Sequence, residues 1–159
     1  MGEVLTRGTV WLALSLYVAG EAMRRRSALS PAGRWLNTLG CAAFLAHVAC
    51  AFHFYHAWSH SAAYVDTARQ TAELTGWNSG AGLYINYLFA LVWVADALSS
   101  WSTSRARPNW IIWSVRGFFW FMMFNGAVVF AHGTMRGYGL LLCVLLLACW
   151  WPRRKSVRE

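Results

Sequence analysis

Hydrophobic residues occur in five runs along the chain, and short polar segments separate them. The runs cover about residues 9–23, 36–58, 82–102, 110–131 and 135–151. A helix needs roughly 20 apolar residues to cross the hydrocarbon core of a bilayer, and about 17 is the usual lower end. The first and last runs are marginal in length, which leaves a four-span alternative. The pattern predicts an all-α polytopic membrane bundle of five transmembrane helices, folded as a single domain over residues 1–159.

The segment between the second and third runs, residues 59–81, mixes polar residues with alanine and valine. No glycine or proline interrupts the chain from Cys41 to Thr75, and Gly76 then supplies a helix stop. The pattern therefore predicts that the second helix extends into a helical segment on the outer side of the membrane. It either continues as one long helix or bends near Ser59 into a surface helix that ends at Leu74.

Composition supports the membrane class. Hydrophobic residues make up 58% of the chain and charged residues 13%, which is about half the charged fraction of a soluble domain. The four cysteines fall inside apolar runs and form no C-x-x-C pair, so neither a disulfide framework nor a thiolate metal site is indicated. The N-terminus lacks the features of a cleaved secretory signal, and we expect the first run to be retained. Trp93 and Trp120 fall at mid-depth in their runs, where we expect them to pack between helices.

The net charge of +8 indicates how the chain is oriented in the membrane, because the basic residues cluster after the first, third and fifth runs. The clusters are Arg24, Arg25, Arg26 and Arg34; Arg105 and Arg107; and Arg153, Arg154, Lys155 and Arg158. Cytoplasmic loops are enriched in Lys and Arg, so the N-terminus is predicted outside and the C-terminus in the cytoplasm. We expect a bacterial inner (plasma) membrane location. No basic helix face is present, so nucleic acid is not expected as a partner.

Histidines are the main candidates for chemistry. On a continuous helix, His53, His56 and His60 would fall within an arc of about 60°, whereas His47 would point away. His132 ends the fourth run on the same outer side. Imidazole is a good ligand for Zn, Cu and Fe. The sequence thus predicts a transition-metal site made of His53, His56, His60 and His132, with Asp66 and Glu73 as possible further ligands.

Two other interpretations of these histidines stand beside the metal site. A b-type haem takes axial histidines from two facing helices, and His53 or His56 with His132 would provide such a pair. Alternatively, the histidines only form hydrogen bonds to water, lipid headgroups or backbone at the membrane interface.

Charged residues inside the runs form a second candidate constellation. Asp96 in the third run and Arg116 in the fourth are expensive in a membrane unless they are paired or face a water-filled cavity. Both lie at similar depth, so we expect a structural ion pair, with a proton or ion relay as the alternative. Glu21, one turn from Arg24, is expected to be an interfacial residue that pairs locally.

No P-loop, nucleophile elbow, dinucleotide fingerprint or H-E-x-x-H motif occurs in the chain, and whether it is an enzyme stays open. Three hypotheses follow. The first is a small membrane protein that binds a metal ion, or less favourably haem, at the extracytoplasmic face. The second is a non-catalytic accessory or assembly subunit of a larger membrane complex, and the third is a homo-oligomeric transporter or channel. The partners expected are the lipid bilayer and other membrane subunits or further copies of the chain.

Overall fold

The computed structural model describes residues 1–26, 30–102 and 107–151, and these residues are helical apart from short connections. The elements are α1 (Gly2–Arg26), α2 (Pro31–Tyr55), α3 (His60–Thr75), α4 (Gly82–Trp101), α5 (Asn109–Phe124), a π-helical turn (Asn125–Val129) and α6 (Thr134–Trp150). The all-α prediction is confirmed. The basic cluster that begins at Arg153, and Arg105 of the second cluster, lie outside the described residues.

Three helices in the described part of the chain are long and apolar enough to cross a membrane, which indicates a membrane protein. They are Pro31–Tyr55, Gly82–Trp101 and Asn109–Val129, the last of which joins α5 to the π-helical turn. The fifth predicted span corresponds to α6, a shorter apolar helix of 17 residues. The first corresponds to α1, which is longer than its apolar run because polar residues at both ends also join the helix.

Helices α1 and α2 form an antiparallel hairpin along their whole length. Phe54, near the end of α2, packs beside Gly2, and Gly20 and Gly33 meet where the hairpin closes. A Cβ atom on either of these two glycines would lie only 3.2 Å from the carbonyl oxygen of the other. Small residues at such crossings allow helix backbones in membranes to approach closely.

An aromatic core lies between α1, α2, α4 and α5. Trp93 is 0% exposed, and its ring centroid lies 5.1–5.6 Å from those of Tyr17, Phe44, Phe89 and Phe119. Most of these contacts are edge-to-face or offset, the arrangements that aromatic pairs prefer. The prediction that Trp93 packs between helices is thereby confirmed.

Helix α6 packs against α1 and against the π-helical turn. The Tyr138 hydroxyl lies 2.6 Å from Ser15 Oγ, and the Tyr138 ring stacks on Trp11 at a centroid distance of 5.0 Å. One residue later, Gly139 faces the carbonyl oxygen of Ala127, which leaves no room for a side chain. Helix α6 therefore packs closely against both α1 and the π-helical turn.

The segment after α2 is a separate helix, α3, rather than a continuation of α2. Helix α2 ends at Tyr55, and the helical backbone is broken at Ala57 (φ 45°) and Trp58 (φ 59°). The Ser59 side chain then caps α3 by accepting a hydrogen bond from Ala62 N, and Gly76 (φ 78°) ends the helix. The predicted bend near Ser59 and the stop at Gly76 are confirmed, and the alternative of one long helix is wrong.

Candidate functional site: a buried charge cluster

Five charged side chains form a continuous chain of contacts inside the bundle, which we call the charge cluster. Its members are Glu21, Arg24, Asp96, Arg107 and Arg116. Nε of Arg116 donates to Glu21 Oε2 at 3.0 Å, and Arg24 lies 2.7 Å from Glu21 Oε1. Arg24 also lies 3.8 Å from Asp96 Oδ2, and Arg107 donates to Asp96 Oδ1 at 2.5 Å. Arg24 thus links the two carboxylates.

Local helix geometry explains two of these contacts. Glu21 and Arg24 are one turn apart on α1, so their side chains lie on the same face. Arg107 lies just before α5 begins and reaches back to α4, where it donates to both the carboxylate and the backbone carbonyl of Asp96. This contact holds the start of α5 against the end of α4.

Neutral hydrogen-bond donors complete the shell around both carboxylates. Asn37, which is 0% exposed, donates to Asp96 Oδ2 at 2.9 Å and accepts from Trp93 Nε1 at 3.2 Å. Trp150 Nε1 donates to Glu21 Oε2 at 2.7 Å. Helices α1, α2, α4, α5 and α6 therefore all contribute side chains to one polar network.

The acids lie deeper in the bundle than the arginines. Glu21 is 3% and Asp96 8% exposed, whereas the side chains of the three arginines are 18–28% exposed. The Arg116 guanidinium also lies over the Trp113 and Trp150 rings, 5.3 and 5.6 Å from their centroids. Buried carboxylates are tolerated in apolar surroundings only when paired and hydrogen-bonded, and here both conditions are met.

The structure corrects the predicted pair between Asp96 and Arg116. Arg116 pairs with Glu21, and Asp96 pairs with Arg107 and Arg24. Sequence position gives the depth of each charge but not the direction in which its helix is rotated. Asp96 faces α1 and α2, whereas Arg116 faces α1 and α6. Glu21, expected to pair only locally, is in fact a centre of the network, and its place inside an apolar run was the signal.

The histidines do not form the predicted stripe. His53 lies near the end of α2, and His56 caps that helix. The helix is then interrupted, so His60 belongs to α3, and its Nδ1 lies 3.0 Å from the Tyr87 hydroxyl. The predicted arc required a continuous helix through residues 53–60, and the positive φ angles at Ala57 and Trp58 break it.

His132 lies in the connection before α6, away from this arrangement. It lines a cleft of about 420 Å³ together with Phe130 and the charged face of α3, including Arg69 and Glu73. Within residues 1–26, 30–102 and 107–151, no group of three or more His, Cys, Asp or Glu side chains is placed to hold a metal ion. The predicted metal centre is therefore not supported, and the haem pairing through His132 stays a prediction.

The charged face of α3 is held by its own ion pairs. Arg69 donates to Asp66 Oδ1 at 2.5 Å and to Glu73 Oε1 at 3.0 Å. The hydrogen bond from Arg69 to Asp66 and the charges of both acids raise the pKa of Arg69. Asp66 and Glu73, the possible further metal ligands, are thus engaged by a permanent cation.

In comparisons with known proteins, no family model, no curated protein and no solved structure matches this chain. Its function is therefore inferred from the geometry of its own residues. Each buried carboxylate contacts two arginines and accepts a hydrogen bond from one neutral N–H group. Such a shell fixes the position of the acids, and it suits a structural element that joins helices.

Proposed function

We propose that the chain is a five-span integral membrane protein of the bacterial inner membrane. The register of α1 against α2 supports this count, because Gly2 lies beside Phe54 at one end and Gly20 beside Gly33 at the other. Helix α2 is long and apolar enough to cross a membrane, and α1 covers the same depth. The charged residues of α1 reduce its hydropathy without shortening the helix.

The register of α6 supports a fifth span. Tyr138 lies beside Ser15, and Trp150 lies beside Glu21, so α6 runs parallel to α1 over a common range of depth. Arg25 also donates to the Ala148 carbonyl oxygen near the end of α6. The 17 residues of α6 are at the lower limit for a span.

The orientation proposed is N-terminus outside and C-terminus in the cytoplasm. Its basis is the alternation of basic clusters, which follow α1, α4 and α6 in the sequence. A reporter at each terminus tests the orientation, and it also tests whether the number of spans is odd or even. We expect a C-terminal green fluorescent protein to fluoresce and a C-terminal alkaline phosphatase to be inactive, while protease removes an N-terminal tag from spheroplasts. Termini on the same side would contradict five spans.

We further propose that the protein acts as a non-catalytic accessory or assembly subunit of a membrane complex. One observation carries this proposal: the five helices other than α3 all contribute to the charge cluster or to the neutral donors around it, and fixed partners occupy both carboxylates. The cluster then serves to hold the bundle in one shape. A rigid bundle is suited to presenting its outer faces to another membrane protein, since binding then costs less conformational entropy.

The outer faces of α4 and α6 are the surfaces available for such contacts. They carry large apolar side chains, including Leu91 (68% exposed), Leu98 (69%), Leu141 (53%) and Val144 (61%). Helices in membranes associate through van der Waals packing and interhelical hydrogen bonds rather than through a hydrophobic effect. A partner subunit would pack on one of them while lipid covers the rest of the bundle.

Cross-linking in intact membranes, followed by mild detergent extraction and native mass spectrometry, tests the subunit proposal. We expect the chain in a stoichiometric species heavier than the monomer plus lipid. Val144→Trp should weaken that species if the outer face of α6 forms the contact, and Leu91→Trp should do so if the outer face of α4 forms it. Val4→Trp, at the start of α1, is the control at an exposed position. A chain that remains monomeric in every membrane and detergent tested would contradict the proposal.

A further inference from the structure

Arg34, in the first turn of α2, differs from the other arginine side chains that the structure describes at its end of the bundle. Arg24, Arg107 and Arg116 contact carboxylates, and Arg25 donates to the Ala148 and Trp151 carbonyl oxygens. The Arg34 side chain has no ion pair or hydrogen bond with any residue that the structure describes. The first turn of α2 contains no acidic residue, and the positive end of the helix dipole adds to the Arg34 charge.

The surroundings of Arg34 carry excess positive charge. The side chains that the structure describes at this end of the bundle include five arginines and two carboxylates. These are Arg24, Arg25, Arg34, Arg107 and Arg116 with Glu21 and Asp96. Because both acids are already shared among Arg24, Arg107 and Arg116, neither can neutralise Arg34. Among the residues that the structure describes, no carboxylate is left to pair with Arg34.

An exposed apolar wall lies next to Arg34, between α2 and α4. The Trp35 and Trp101 rings meet edge-to-face at 4.9 Å and are 57% and 41% exposed. Trp101 is held in place because its Nε1 donates to Thr38 Oγ1 at 3.0 Å. Leu39 lies one turn beyond Trp35 on α2 and is 51% exposed. It continues this apolar surface along α2, away from the charged end of the bundle.

We propose that Arg34, Trp35 and Trp101 bind an anionic phospholipid, with the phosphate headgroup on Arg34 and an acyl chain along Trp35 and Leu39. A cation beside an exposed tryptophan pair matches a lipid. The cation fits the charged headgroup, and the tryptophan rings fit the apolar acyl chain of the same molecule. Basic sites between membrane helices on the cytoplasmic side recognise such headgroups. The proposal depends on the membrane insertion proposed above, but only on α2 and α4, which both meet the length and hydropathy of a span.

Native mass spectrometry of protein purified with phosphatidylglycerol and phosphatidylethanolamine at equal amounts tests the site. We expect the wild type to retain phosphatidylglycerol, and Arg34→Gln to lower its occupancy about fivefold. Arg34→Lys should retain most of it. Arg136→Gln is the matched control, because Arg136 is an exposed arginine in the first turn of α6 with no carboxylate partner in the described structure. Equal retention by wild type and Arg34→Gln would overturn the proposal.

Two further measurements distinguish a bound lipid from a soluble anion and from a folding defect. If inorganic phosphate binds the wild type in an Arg34-dependent way and displaces phosphatidylglycerol at similar concentration, the site takes soluble anions and the lipid proposal is wrong. Equal melting temperatures for wild type and Arg34→Gln without added lipid would show that the variant folds. Termini on the same side would contradict the five-span proposal but leave this site intact.

Discussion

The Glu21 carboxylate on α1 accepts a hydrogen bond from Arg116 Nε on α5 at 3.0 Å, across 95 residues of sequence. The same carboxylate contacts Arg24 on its own helix and Trp150 on α6. Arg24 can neutralise Glu21 while α1 is the only helix formed. The contacts with Arg116 and Trp150 require α5 and α6 to be in place. Glu21 is therefore fully paired only in the assembled bundle.

Removing the Glu21 charge should destabilise the bundle strongly. In Glu21→Gln, Arg24 and Arg116 would face each other without their shared carboxylate in a largely buried site. We expect the free energy of unfolding in detergent to fall by about 3–5 kcal/mol. Thermal or SDS-induced unfolding followed by tryptophan fluorescence measures the change.

Glu3→Gln is the matched control, since Glu3 lies on the same helix and pairs with Arg7 at 2.8 Å, but with both side chains 61% exposed. We expect that substitution to cost less than about 1 kcal/mol. Equal losses for the two variants would mean that burial does not set the strength of the Glu21 contacts.

Asp96→Asn separates a structural role from transport. The substitution removes the partner of Arg107, so we expect a stability loss of about 3 kcal/mol. A double-mutant cycle with Arg107→Gln should give a coupling energy above about 1 kcal/mol, because the two side chains are in direct contact.

Ion flux in proteoliposomes provides the second readout for the same residue. If the charge cluster is structural, Asp96→Asn changes stability and leaves flux at the background level of the wild type. A wild-type flux that disappears in Asp96→Asn while the fold persists would instead favour the homo-oligomeric transporter or channel.

The sequence contains enough information to predict the helices but not their rotations. The apolar runs correspond to α2, α4, α5 with the π-helical turn, and α6 within a few residues, because hydropathy depends on composition alone. Ser59 and Gly76 fix the ends of α3 through local capping. The partner of Asp96 was predicted wrongly because it depends on how α4 turns towards α1 and α2, which no local signal reports.

The predicted three-histidine stripe is absent for a different physical reason. The stripe required helical backbone at residues 57 and 58, where the chain adopts positive φ angles. Alanine and tryptophan rarely occupy that region, so neither residue signals a reversal. A local backbone hydrogen bond from Trp58 N to the Phe52 carbonyl oxygen, at 3.0 Å, closes the turn.

Ala57→Gly should stabilise the protein, because glycine adopts the left-handed conformation without the steric cost that a Cβ atom imposes. We expect the free energy of unfolding to rise by about 0.5–1 kcal/mol, measured by thermal unfolding in detergent. The same substitution at Ala62, which is exposed within α3, should lower it by about 0.5–1 kcal/mol. Destabilisation by both substitutions would argue for a continuous helix through residue 57. The predicted stripe of His53, His56 and His60 would then be supported again.

Two glycines of α6 allow a direct test of its packing. A Cβ atom on Gly139 would collide with the Ala127 carbonyl oxygen in the π-helical turn, whereas a Cβ on Gly137 would meet nothing within 4 Å. We expect Gly139→Ala to lower the free energy of unfolding by about 1–3 kcal/mol. Gly137→Ala should be neutral or raise it by up to about 1 kcal/mol, since alanine favours the helix.

The Gly139→Ala substitution should also affect the charge cluster, because α6 moves as a unit and Trp150 lies at its end. A shifted α6 would weaken the hydrogen bond from Trp150 to Glu21. Glu21→Gln should therefore cost less in the Gly139→Ala background than in the wild type, by about 0.5–1 kcal/mol. In the Gly137→Ala background its cost should be unchanged. Strict additivity in both backgrounds would show that α6 packs independently of the cluster, and would remove α6 from the network proposed to fix the bundle.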